Sequence, residues 1–158
     1  MKRFLLIISL LALCLTGCDE RSVTQTPDAL ASAVLASING AEFTPCDPDY
    51  VENSFDFEDF PTAHALYFGN EYGLEFGVFA FEDNGAAHRA AQAVREYLAR
   101  EEGAVRDLAA LYPAAELSAR LARYAHAGVH VAGNTVAYFL LSEADRTAAE
   151  AAFATAVK

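Results

Sequence analysis

The sequence predicts an α+β domain in two layers: a four-stranded antiparallel sheet made from a repeated ββα unit, with helices on one face and an extra helix in front. Three observations carry this prediction. Apolar residues alternate with period two over 63–81, and again on both sides of Gly133-Asn134. Stripes with helical spacing follow each of these hairpins. A leading helix with its own start signal precedes the first hairpin.

The chain begins with Lys2 and Arg3 ahead of a twelve-residue apolar stretch, Phe4 to Leu15. A spanning helix needs about 20 apolar residues, so this stretch is too short. A basic start, a short apolar segment and small residues make a secretory signal peptide, residues 1–17. Leu15-Thr16-Gly17-Cys18 resembles the lipobox of bacterial lipoproteins. Cleavage is expected between Gly17 and Cys18, with the Cys18 thiol taking a diacylglyceryl group. Each buried CH₂ contributes about 0.8 kcal/mol, so two acyl chains anchor stably where one does not. The expected location is the extracytoplasmic face of the cell membrane. In an organism with two membranes, Asp19 resembles the signal that retains a lipoprotein on the inner one.

Residues 18–26 read as the lipidated Cys and a polar tether, and 27–158 as a single domain. Thr26 is the expected N-cap of a helix over 27–38, with Pro27 at its first position and Asn39-Gly40 as a left-handed stop. Residues 45–61 carry six acids between Asp47 and Asp59, interleaved with Phe55, Phe57 and Phe60. A calcium loop counted from Asp47 needs an acid or amide at its fifth position and Gly at its sixth, but Val51 and Glu52 stand there. A solvated acidic connection or a short helix is expected instead.

The stretches "AHALYFG" and "LEFGVFAFE" form the first hairpin around "GNEYG". The glycines at 69, 73 and 77 have the spacing of a membrane helix-pairing motif, but Glu71 and Glu75 between them exclude that reading. Ala87, Ala90, Ala91, Val94, Tyr97 and Leu98 stripe the next helix, which Gly103 is expected to end, with a less regular helical stretch over 104–111. Alternation is then expected from Leu121 to Val131, with a two-residue turn at Gly133-Asn134 and the returning strand "TVAYFLLS". This register sets Val131 opposite Val136, Gly128 opposite Phe139 and His126 opposite Leu141. Ser142 and Asp145 make a capping box for a helix over 143–157.

The whole chain has 11 basic and 22 acidic residues, a formal charge of −11. Removing the leader takes away two cations and no acid, leaving −13 on 141 residues. That balance excludes nucleic acid as a partner and disfavours anionic lipid surfaces. Of three cysteines, Cys14 lies in the leader and Cys18 is the lipid site, so Cys46 stands alone. It is either buried and inert or open to a partner.

His126 and His130 in "HAGVH" have the spacing of a helical zinc site, but Ala127 stands where a metalloprotease needs Glu. In a strand the two rings lie about 13 Å apart, so no metal or other cofactor is expected. No Gly-x-Ser-x-Gly elbow, phosphate-cradling loop or Cys-x-x-Cys pair is present. A non-catalytic role is therefore expected. Phe79, Phe81, His126, His130, Phe139 and Leu141 would share the sheet face away from the helices, a surface too apolar for water. Either the 27–38 helix covers it or an envelope protein docks there.

Several of these pieces occur together in one order: the lipobox, the Glu-containing strand "LEFGVFAF" leading into a long helix, "LYP", the strand "VAYFLLS" and a last helix carrying Phe153. Over 47–157 the pattern resembles a family of small lipoproteins, known chiefly from clostridia, whose domain has no established activity. The resemblance implies location and domain extent, and no functional residue. The expectation is a lipid-anchored binding or interaction module of the envelope; the competing class is an envelope enzyme acting on cell-wall or small-molecule substrates.

Overall fold

The computed structural model describes residues 22–71 and 73–157. The expected signal peptide, residues 1–17, and the expected lipid site Cys18 lie outside the described residues. Strands β1 (Phe43–Pro45), β2 (Ala63–Gly69), β3 (Glu75–Ala80), β4 (Gly128–Ala132) and β5 (Thr135–Leu140) form one antiparallel sheet in the order β1-β2-β3-β5-β4. Five α-helices are described: α1 (Pro27–Ser37), α2 (Pro48–Ser54), α3 (Asn84–Leu111), α4 (Ala115–Tyr124) and α5 (Glu143–Ala156).

The α+β class and the antiparallel sheet are as expected, but the described residues form five strands and three layers, not four and two. The added strand is β1, three residues at the sheet edge, where Pro45 is tolerated. The third layer follows from the two central strands. Every residue of β5 is buried, and so is all of β3 but its last, so both faces of the sheet demand cover. On one face, α3 and the α2 segment enclose Leu66, Phe79, Phe81, Val136, Tyr138 and Leu140. On the other, α1 and α5 enclose Ala65, Phe76, Val78, Ala137, Phe139 and Leu141. The leading helix covers a sheet face, one of the two expected alternatives, but that face holds Phe139 and Leu141 without Phe79 and Phe81. It shares that task with the last helix, which was expected on the opposite side.

Local start signals operate as written in the sequence. Thr26 accepts from the Ala29 N–H at 3.3 Å with Pro27 at the first turn, and Ser142 accepts from the Asp145 N–H at 3.2 Å. The hairpin turn is Gly133-Asn134, with Gly133 at φ 53°, Val131 opposite Val136 and Gly128 opposite Phe139. The Asn134 side chain bonds both ways, accepting from Val23 N–H and donating to the Phe81 carbonyl, each at 2.8 Å. The end of the expected tether is thus docked on the domain.

Three helix boundaries differ from expectation. Helix α1 ends at Ser37 and runs into a 3₁₀ turn over Gly40–Glu42, without a left-handed residue at Asn39-Gly40. Helix α3 continues through Gly103, because Val105 beyond it is buried and an interior Gly costs only about 1 kcal/mol. The stop comes at Tyr112, where the following Pro113 disfavours helical backbone. The expected strand from Leu121 starts only at Gly128, because Leu117, Arg120, Leu121 and Tyr124 share one side of a helix and pack inward. The acidic stretch forms α2, capped by the Asp47 side chain, and then an extended segment pinned by Phe55.

Candidate functional site

Glu75 opens β3 on the same face as Gly77 and Phe79, where the alternation calls for an apolar residue. It is 7% exposed. Its Oε2 accepts from the Tyr97 hydroxyl at 3.2 Å and its Oε1 from the Tyr138 hydroxyl at 3.3 Å. The Tyr97 hydroxyl lies a further 3.3 Å from that of Tyr50, extending the network toward the surface. Burial raises the Glu75 carboxyl from 4.5 to about 7, against the two tyrosine hydrogen bonds, which favour the carboxylate. Glu101 adds to the rise and Arg120 opposes it. Burial first, and then the Glu75 charge, push the Tyr97 and Tyr138 hydroxyls well above their ordinary range. Both tyrosines therefore stay protonated and act as donors.

Glycine 77 makes this network possible. It lies opposite Tyr138, and a Cβ there would stand 2.6 Å from the Tyr138 ring. Without that carbon the ring lies flat over β3 and its hydroxyl reaches Glu75. A similar close approach occurs at Gly73, whose φ of 83° only glycine adopts readily and where a Cβ would meet Arg120 Nε at 2.6 Å. Arg120 thus crosses the β2–β3 turn, and Arg123 of the same helix binds Glu71 of that turn at 2.5 Å.

Above Glu75 lies a cleft of about 440 Å³. Its walls are aromatic at Tyr50, Phe68, Tyr97 and Tyr124, and charged at Glu75, Glu101 and Arg120, with Glu71 at the rim. Tyr50 and Phe68 meet edge to face, their ring centroids 5.0 Å apart and their planes at 85°. Burial also raises the Tyr124 hydroxyl, with Arg120 hydrogen-bonded beside it as the main opposing influence. A small pocket that is mostly apolar, with a few convergent polar groups and one strongly perturbed acid, is the usual form of a ligand site.

The six residues expected on one apolar surface are not together. Phe79 and Phe81 are buried under α3 beside Phe55 and Phe57, whereas Phe139 and Leu141 are buried under α1 and α5. The reason is register: Phe79 pairs with Val136 and Phe76 with Phe139, so the faces are offset by one residue from the expected grouping. His130 lies 3.1 Å from Glu150, which also binds Arg146 at 2.9 Å. His126 is exposed in the turn after α4, not paired opposite Leu141. Cys46 is half-buried against the α3-side core, with its thiol raised by burial and by Asp47. Among the described residues, no group of three His, Cys, Asp or Glu could hold a metal ion.

Sequence reasoning missed Glu75, Tyr97, Arg120, Tyr124 and Tyr138. One signal was present. Glu75 is in phase with Phe79 and Phe81 along an apolar alternation, and an acid at such a position is either paired or functional. No protein-family model matches the chain, nor does any curated protein or solved structure.

Proposed function

We propose that this protein is a lipid-anchored, extracytoplasmic binding module that receives a small ligand in the Glu75 cleft. The observation that carries the binding reading is a nearly buried carboxyl held by two tyrosine hydroxyls at the base of an aromatic-walled cleft. Phe79, Phe81, Phe139 and Leu141, the apolar part of the surface that would have suited a docked protein, are instead internal, which favours a ligand pocket over a partner face. The test is amide NMR of the full chain in detergent against a panel of small neutral, anionic and cationic compounds. Perturbations confined to residues around Tyr50, Glu75, Glu101 and Arg120 are expected. If no compound moves them, the ligand-binding reading is lost.

The anchor rests on the lipobox, which supplies a nucleophilic thiol behind small residues at the end of a leader. Replacing Cys18 by Ser is expected to abolish incorporation of labelled palmitate in the bacterial cell and to move the protein out of the washed membrane fraction. Label retained by the variant would rule out lipidation at Cys18.

A second reading has one observation in its favour. A carboxyl raised to about 7 is poised to give and take a proton near neutrality, as an envelope enzyme's general acid or base would. Turnover of a cleft-bound compound, abolished by Glu75→Gln, would favour the enzyme over the binder.

A further inference from the structure

We infer that the Glu75 cleft selects a small organic cation, an alkylammonium or quaternary ammonium group, seated against the Tyr50–Phe68 corner with Glu75 and Glu101 as its counter-charges. This rests on the cleft being a ligand site and names the class of ligand that its lining fits.

Four aromatic rings line the cleft, and two of them stand at 85° to each other, 5.0 Å between centroids. A cleft lined by several aromatic rings gives a positive charge π surface to rest against, the interaction by which aromatic sites hold ammonium groups. The charges agree. Glu71 at the rim is tied to Arg123, and Glu101 lies 4.0 Å from the more exposed Arg100 while also lining the cleft with Glu75 and Arg120. An anion bound there would sit beside two carboxyl groups. The formal charge of the whole chain, −11, draws cations toward it and slows the approach of anions.

Glu75 itself explains why a cation is preferred to a neutral molecule of the same shape. Its two oxygens each accept one tyrosine hydrogen bond, and a carboxylate has further lone pairs to offer. Burial disfavours its charge, and an arriving cation supplies the missing counter-charge in a poorly solvated place. The groups around it are Tyr97 and Glu101 on α3, Tyr138 on β5, Arg120 and Tyr124 on α4, Tyr50 on α2 and Cys46 after β1. Glu75 itself is raised to about 7, so affinity rises with pH as it ionises. Between pH 6 and pH 8 the ionised fraction, and with it the affinity, grows about tenfold.

The experiment titrates the full chain in detergent with tetramethylammonium, butylammonium, tert-butanol and acetate, followed by amide NMR at pH 6 and pH 8. Both cations are expected to bind at the cleft at least tenfold more tightly than tert-butanol, with acetate the weakest. Glu75→Gln is expected to remove the pH dependence and most of the cation preference, and Glu101→Gln to weaken the cations severalfold. Thermal midpoints of both variants verify that they are folded. Equal affinity for tert-butanol and the cations, or preference for acetate, overturns the cation assignment while the cleft stands as a ligand site. No cleft perturbation by any of the four overturns both.

Discussion

Truncating Phe55 to Ala is expected to lower stability by about 3–5 kcal/mol, the range for emptying an aromatic position in a packed core. Phe55 stands at the C-terminal cap of α2, inside the acidic stretch, yet is only 4% exposed. Its ring stacks on Phe57 with centroids 5.2 Å apart, and meets Tyr97 at 4.4 Å, Phe79 at 5.2 Å and Tyr138 at 5.9 Å. Removing it deletes the burial of one ring, leaves a cavity, and breaks aromatic pairs worth about 0.5–1.5 kcal/mol each beyond their area. Two of those neighbours hold Glu75, so the cleft should loosen together with the core. Urea denaturation is the measurement, and a lower midpoint with unchanged slope is the expected form. Phe60, half exposed in the same stretch, is the control: Phe60→Ala should stay within about 0.5 kcal/mol of the parent. A loss below 1 kcal/mol at Phe55 would show that residues 48–60 lie outside the cooperative core.

The second large effect depends on pH. The Glu75 carboxyl is raised to about 7 in the folded protein, against 4.5 in a solvated chain. Below pH 4.5 both states hold the proton and Glu75 contributes no pH dependence. As pH rises to about 7, the unfolded chain releases its proton while the folded one keeps it, so stability falls. Over the whole interval the loss is roughly 3 kcal/mol, at 1.36 kcal/mol per pKa unit. Glu75→Gln has no proton to lose. Its amide is a poorer partner for two donor hydroxyls, a cost of about 1 kcal/mol at any pH. The variant should therefore be slightly less stable than the parent at pH 4.5, and more stable by about 2 kcal/mol at pH 8. Other carboxylates titrate alike in both proteins and cancel in the difference. Parallel stability curves from pH 4.5 to pH 8 would falsify the buried, proton-retaining Glu75.

These expectations could not have been written from the sequence, although much of the fold could. The caps at Thr26 and Ser142, the turn at Gly133-Asn134 and the alternation along β2, β3 and β5 were legible, because each depends on residues within a few positions. Strand β1 was not legible, since three residues containing a proline carry no period. Helix α4 was misread because its residues satisfy two periods at once, and only packing against α3 chooses between them.

By itself, then, the sequence determined the helix caps, the Gly133-Asn134 turn and the antiparallel α+β class, and it carries the lipobox-like Leu15–Cys18 on which the anchoring proposal rests. Tertiary structure alone decided which faces meet. A period of two tells which side chains of one strand lie together, but the register of β3 against β5 separates Phe79 from Phe139. The cleft is non-local for the same reason. Glu75, Tyr97, Arg120 and Tyr138 come from β3, α3, α4 and β5, and only the folded sheet and its covering helices bring one carboxyl, two hydroxyls and a guanidinium to a single place.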